Sequence, residues 1–300
     1  MAKPERSGHG WNRSYIEKRI RNMGPRFMCW NRGQSVTPAS RQALRRATEA
    51  SASLRTARST AAFTSKTIRR AFVANRERLA RAVGVPFAGH TYAEQVHGTN
   101  VAVVGLNGRG AGRASRESAL ADTDGLVTAE PGVSLNLMYA DCVPLYFYDP
   151  VRRAIGLAHA GWKGTVGDIA RATVLRMQET FGTKPEELLA AIGPSIGACC
   201  YEVDETVAGK VREALSAHDA APEESAEVLQ AGREAGKYQL SLQKLNRLLM
   251  TKAGILSSRI EVSTLCTGCS TDRLFSHRKE GGRTGRMVAW IALRQDGTET

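Results

Sequence analysis

Residues 154–164 read Ala154-Ile-Gly-Leu-Ala-His-Ala-Gly-Trp-Lys-Gly164, an apolar run of strand length that closes on His159. Glycines then carry the chain into a helical stripe, with Val166, Ile169, Ala170, Thr173, Val174, Met177 and Phe181 on one face of a helix over Val166–Phe181. A strand that feeds a helix through a glycine turn is the unit of an α/β domain. Similar units lie on both sides. Strands are expected at His90–Val104, Gly125–Thr128, Val133–Tyr139, Val143–Tyr148, Leu188–Ile192, Ile260–Leu265 and Met287–Leu293. Helices are expected at Ala71–Val83, where Gly84 and Pro86 stop the pattern, and around Glu205–Ala217, with an amphipathic stretch at Leu240–Ala253. Asp219–Ala235 is acidic and reads as a loop or short helix. Residues 71–300 therefore read as one α/β domain with a mixed sheet, without an internal linker or repeat.

The first seventy residues differ from the rest. They carry sixteen Lys and Arg against three Glu, and they show no sustained periodicity. Residues 71–300 carry 26 basic and 26 acidic side chains, so the whole net charge of +13 belongs to the N-terminal segment. That balance gives the body no basic groove of the kind a nucleic-acid binder needs. The expectation is a poorly ordered basic tail over 1–70 and no nucleic-acid partner. No run of eighteen apolar residues exists, so no membrane span is expected. The N-terminus lacks the apolar core of a signal peptide, which reads as a cytoplasmic protein.

Three motifs carry chemistry. His97 lies in Glu94-Gln-Val-His-Gly98, Cys142 in Ala140-Asp-Cys-Val-Pro144, and His159 in the stretch quoted above. Each follows or ends an expected strand, so all three can arrive at one end of a sheet. Two imidazoles and one thiolate suit Zn²⁺, and three protein ligands leave a fourth position for water or substrate. Such an ion lowers the pKa of bound water to about 7 and polarises a bound oxygen or ring nitrogen. Asp141, beside Cys142, can orient a histidine or accept a proton. Glycines 98, 161 and 164 allow close backbone approach. Arg278, Lys279, Arg283 and Arg286 share a glycine-rich loop suited to phosphate, with Thr284-Gly-Arg286 the preferred piece.

Other metal chemistries fit less well. A cytidine-type zinc deaminase uses His-x-Glu with Pro-Cys-x-x-Cys, and neither His97 nor His159 has Glu two residues on. A blue-copper oxidase needs an axial Met and further histidines, whereas this chain has six histidines and no His-x-His pair. Cys266-Thr-Gly-Cys269 is a lone CxxC and reads as a turn packed on the core. The adjacent Cys199 and Cys200 read as small buried apolar side chains.

Taken in order, Gln95-Val-His-Gly, Asp122-Thr-Asp-Gly125, Ala140-Asp-Cys-Val-Pro, His159-Ala-Gly-Trp-Lys-Gly, Ile192-Gly-Pro-Ser-Ile, Cys200-Tyr-Glu-Val and Phe275-Ser-His-Arg…Thr284-Gly-Arg-Met form a specific set. Over about residues 71–300 the chain resembles the laccase-domain family, also called polyphenol-oxidase-like or YfiH-like. That resemblance implies a layered α/β sandwich around a mixed central sheet. It also implies a zinc-dependent purine nucleoside phosphorylase acting on adenosine, inosine and methylthioadenosine with phosphate, with adenosine deaminase activity. The family's metal ligands fall on His97, Cys142 and His159, and a monomer or small homo-oligomer is expected. The alternatives are a copper-dependent polyphenol oxidase, after the family's older assignment, and a non-catalytic accessory protein on the same fold. Family members begin with a Gly-Gly-Val-Ser…Ser-Leu-Asn-Leu type motif that residues 1–70 lack, which reads as a frame error or a transit-like segment.

Overall fold

The computed structural model of the chain describes residues 66–293. The expectation of a poorly ordered tail over 1–70 therefore lies outside the described residues, apart from residues 66–70. These already belong to helix α1 (Lys66–Val83), which starts ahead of the expected Ala71. After it come β1 (His90–Tyr92), β2 (Val101–Val103), β3 (Gly125–Thr128) and β4 (Ser134–Tyr139). Strands β5 (Val143–Asp149) and β6 (Ala154–Ala160) lead into two helices, α2 (Trp162–Val166) and α3 (Ile169–Phe181). The chain continues through β7 (Leu189–Ile192), β8 (Glu202–Asp204), α4 (Glu205–Ala217), α5 (Pro222–Val228) and β9 (Leu229–Ala231). It ends with β10 (Lys237–Leu240), α6 (Leu242–Lys252), β11 (Ile260–Val262) and β12 (Met287–Ala292).

The central sheet has the order β11-β7-β5-β6-β3-β2. Its β11–β7 and β2–β3 pairs are parallel and the rest antiparallel, so the sheet is mixed. Every residue of β5 and β6 is buried. That is why both read as continuous apolar runs rather than as alternation: each face of the sheet is covered. The period of two sorts the side chains between two cores. Leu145 and Phe147 pack with Val174 and Met177 of α3 and Leu245 and Leu249 of α6. Tyr146, Tyr148, Ile155 and Leu157 face the other way, against Leu135 and Leu137 of β4 and Ala289 and Ile291 of β12.

That second core separates the central sheet from a three-stranded sheet of order β1-β4-β12. Helix α1 covers its far side through Leu79 and Val83, against Val288 and Trp290. Arg76 of α1 is also buried, stacked on Phe72 and Tyr92 and donating to the Gly112 and Arg113 carbonyls. A small antiparallel sheet, β8-β10-β9, completes the described residues. The layers are thus helix, sheet, sheet, helices. Among the described residues, no helix is long and apolar enough to cross a membrane.

Two expected elements are divided. The stretch 90–104 forms β1 and β2 in different sheets, because residues 93–100 leave the strand path and His97 adopts φ +64°. The helix expected over 166–181 is α2 and α3, broken at Gly167-Asp168. Asp168 takes a left-handed conformation, and its side chain caps α3 by accepting from the Arg171 N–H. The acidic stretch 219–235 resolves into α5, β9 and connecting turns.

Candidate metal centre

Strand register brings two of the three expected ligands together. Val143 lies opposite Ala160 and Pro144 opposite His159. Cys142, one residue ahead of β5, therefore sits beside the end of β6, next to His159. The third ligand arrives from the loop between β1 and β2. That loop is folded back by Asp124, the residue before β3. The backbone carbonyl of Asp124 accepts the His159 N–H at 2.8 Å, so the two residues are neighbours across the sheet.

Asp124 is fully buried and its carboxylate has four donors. One oxygen accepts from the amides of Val96 at 3.0 Å and Gly98 at 2.7 Å. The other accepts from the amide of His97 at 3.1 Å and from Nδ1 of His159 at 2.9 Å. Three successive amides converging on one carboxylate form an anion nest, made possible here by the left-handed backbone at His97. Burial alone would raise the Asp124 pKa, but the bonds from His159, Gly98 and Val96 hold it below the ordinary carboxylate range. One side chain thus fixes the orientation of both histidines: it holds the ring of His159 and the backbone that carries His97.

The ligand atoms of His97, Cys142 and His159 lie within 4.8 Å of one another. Nε2 of His97 is 3.8 Å from Sγ of Cys142, and the two imidazoles meet edge to face with centroids 4.8 Å apart. Bond lengths of about 2.0 Å to nitrogen and about 2.3 Å to sulfur put tetrahedral zinc ligands roughly 3.3–3.8 Å apart, so the trio is near coordinating geometry. Nδ1 of His159 is committed to Asp124, which leaves Nε2 as its metal-binding atom. Gly161 explains the space available. A Cβ there would stand 2.7 Å from Cδ2 of His97 and 3.1 Å from Sγ of Cys142. His159 is buried, Cys142 half-buried and His97 exposed, so one side of the centre faces solvent.

The charge state of the Cys142 sulfur suits a metal ligand, whereas His159 would give up its proton on binding one. Burial opposes ionisation of Cys142, but the His159 charge and hydrogen bonds from both histidines outweigh it and bring the thiol down to about 6. Burial likewise disfavours charge on His159, yet Cys142 and Asp124 raise it to about 9. The sulfur is a thiolate at neutral pH, which is the form that binds metals.

Asp141 has a different post from the expected one. His159 is oriented by Asp124, while the Asp141 carboxylate accepts from Oγ1 of Thr267 at 2.5 Å and from the Arg278 N–H at 2.7 Å. Its carbonyl accepts from the Ile196 N–H at 2.9 Å. Asp141 therefore ties three chain segments together beside Cys142. The Arg278 guanidinium donates to the Glu202 carbonyl at 2.6 Å and lies 4.9 Å from the Tyr201 ring. Burial pushes the Tyr201 hydroxyl up to about 12, with Arg278 opposing and Cys142 and Asp141 reinforcing. Arg286 folds back on its own loop, donating to the Thr284 and Gly285 carbonyls. The structure thus gathers the metal trio, sets Asp141 and Arg278 at its margin, and turns Arg286 onto its own loop.

Sequence reasoning missed Asp124 and Tyr201, although both stand inside motifs quoted above, Asp122-Thr-Asp-Gly125 and Cys200-Tyr-Glu-Val. It also misplaced four cysteines. Cys199 is exposed and Cys200 half-buried rather than buried apolar fillers, and with Cys266 and Cys269 of the CxxC turn they form a second cluster of potential metal ligands.

The family described as multi-copper polyphenol oxidoreductase laccase matches residues 48–294. Purine nucleoside phosphorylase YlmD of Bacillus subtilis is 41% identical over 223 residues, which span 74% of this chain and 77% of that protein. The crystal structure of YlmD from Geobacillus stearothermophilus superposes with a TM-score of 0.71 at 41% identity, covering 76% of this chain and 82% of that one. The Bacillus licheniformis hypothetical protein YfiH gives a TM-score of 0.70 at 39% identity, covering 75% and 82%.

Proposed function

The chain belongs to the multi-copper polyphenol oxidoreductase laccase family, and we propose that it acts as a zinc-dependent purine nucleoside phosphorylase. The reaction class is supported by the name its relatives carry, purine nucleoside phosphorylase. The metal is supported by the Asp124-anchored trio, which is the observation on which this reading rests. Copper oxidation by several coppers needs additional histidine clusters. Among the described residues outside the trio, His90 is buried against Asn136 and the Val85 carbonyl, His218 pairs with Asp168, and His277 belongs to no group of potential metal ligands. The other cluster of metal-binding side chains there is made of cysteines alone. The ligands favour a mononuclear zinc site.

In phosphorolysis, phosphate oxygen bonds to the anomeric carbon as the N-glycosidic bond breaks, and the base leaves with that bonding pair and takes up a proton. The products are the free base and the sugar 1-phosphate. His97, Cys142 and His159 would hold the zinc ion, which would supply Lewis acidity at the open side of the centre. Arg278 brings a guanidinium matched to phosphate oxygens to the same margin. Tyr201, held protonated by its surroundings, is a hydrogen-bond donor there at any physiological pH. Asp141 acts through position: by binding the amide of Arg278 and the hydroxyl of Thr267, it fixes the phosphate-side loop against the metal side. Adenosine deamination at the same centre is proposed as a second activity. The test is release of free base from adenosine, inosine and methylthioadenosine by the zinc-loaded chain, with and without phosphate. Phosphate-dependent release with equimolar sugar 1-phosphate supports the proposal. Oxygen consumption with phenols, and no base release, overturns it.

A further inference from the structure

We infer that Cys199, Cys200, Cys266 and Cys269 hold a second zinc ion, in a four-thiolate site that staples two loops beside the metal centre. The sulfurs come from the 3₁₀ turn Ala198–Cys200 and from the Cys266-Thr-Gly-Cys269 loop, nearly seventy residues further along the chain. All four lie within 4.8 Å of one another, and Cys269 is 3.5 Å from both Cys199 and Cys200. A tetrahedral zinc with bonds of about 2.3 Å sets its sulfurs about 3.8 Å apart. The observed spacing needs only small side-chain adjustments to reach it. An iron–sulfur cluster places several iron and sulfide atoms between its thiolates and would hold them further apart.

The backbone around the sulfurs is built for close approach. A Cβ on Gly268 would stand 2.7 Å from Cβ of Cys200 and 2.9 Å from its sulfur. A Cβ on Gly197 would stand 3.3 Å from Sγ of Cys199 and 3.4 Å from that of Cys266. The N–H of Gly197 donates to the Cys266 sulfur at 3.2 Å, the kind of bond that stabilises a metal-bound thiolate. Adjacent cysteines on an extended strand point to opposite faces, but on a tight turn Cys199 and Cys200 both reach Cys269. A bound dication would hold the four sulfurs as thiolates and release their protons.

The site would matter for the reaction centre because of what lies between its ligands. Thr267, inside the CxxC, donates to Asp141, and its amide bonds the Ser195 carbonyl. Tyr201 follows Cys200 directly and stacks near Arg278. The ion would therefore hold the 195–201 and 266–269 segments in the register that positions Asp141, Tyr201 and Arg278. Its ligands are distinct from the trio, so metal content tests it independently of turnover.

The experiment is zinc analysis of the full chain purified without chelator. The expected content is two ions per chain, falling to one in the Cys266→Ser/Cys269→Ser double variant and to one in Cys142→Ala. Should the double variant fail to fold, Co²⁺ loading of Cys142→Ala gives the answer, because among the described residues the cluster alone then supplies thiolates. Intense sulfur-to-cobalt charge-transfer absorption supports the site. A single zinc in the unaltered chain that disappears in Cys142→Ala overturns it. So does iron in place of zinc, or mass-mapped disulfides among these four cysteines in the freshly purified protein.

Discussion

Replacing Asp124 with Asn is the sharpest probe of how the metal centre is assembled. The two oxygens of Asp124 accept four hydrogen bonds, from the amides of Val96, His97 and Gly98 and from Nδ1 of His159. Asn keeps one accepting oxygen and turns an NH₂ group toward the remaining donors, so two bonds are lost in a fully buried setting. Hydrogen bonds to a charged partner contribute about 1.5–3 kcal/mol each, so the loss is about 3 kcal/mol or more. For a domain of this size each kcal/mol moves the melting temperature by about 2–4 °C, giving an expected drop of about 6–12 °C. Loss of the group that orients a ligand also weakens metal binding about 10–100-fold. Competition with a chromophoric chelator measures the second effect and thermal unfolding the first. Asp122→Asn is the control, since Asp122 is exposed and its carboxylate accepts from the Asn100 side chain. Its expected effect is within about 0.5 kcal/mol. An Asp124→Asn protein that binds zinc within about threefold of the unaltered chain, and melts with the control, would refute this account of the centre.

Gly161→Ala should weaken zinc binding by the trio about tenfold or more, because its Cβ would press on His97 at 2.7 Å and Cys142 at 3.1 Å. Gly161 has φ −69° and ψ 171°, which Ala adopts freely, so the metal-free melting temperature should move by no more than about 2 °C. Unchanged zinc affinity would show that the contact is not limiting. In metal-free protein, the Cys142 thiol lies at about 6, so its thiolate is present above that pH and lost below it. Alkylation of Cys142, followed by peptide mapping, should therefore rise with a midpoint near 6 rather than at the ordinary value of about 8.5. Added zinc should suppress it. A midpoint at the ordinary value would mean that His159 does not carry the charge assigned to it.

Much of the fold was legible because its strands are buried on both faces. Val143–Asp149 and Ala154–Ala160 are buried throughout and mostly apolar, and the helix after them begins at a glycine. What was not legible depends on local backbone and on partners far along the chain. Residues 90–92 and 101–103 look like parts of one strand until the left-handed turn at His97 separates them. Gly167-Asp168 carries a local stop-and-cap signal, but the apolar stripe from Val166 to Phe181 runs across it and masks the break. The three candidate ligands are readable as residue types, but the sequence offers Asp141, adjacent to Cys142, as the carboxylate that orients a histidine or accepts a proton. Asp124 holds that role because β3 and β6 pair, and pairing is invisible in composition. The cysteine cluster escaped for the same reason: neither Cys199-Cys200 nor Cys266…Cys269 is a metal motif until the fold joins them.

The most direct measurement is zinc content and phosphate-dependent base release from adenosine, made side by side on the unaltered chain and on Cys142→Ala. The expected result is that the substitution removes the trio's zinc and the phosphorolysis together. Base release that continues in Cys142→Ala at the rate of the unaltered chain would contradict a metal centre of His97, Cys142 and His159 as the seat of the reaction.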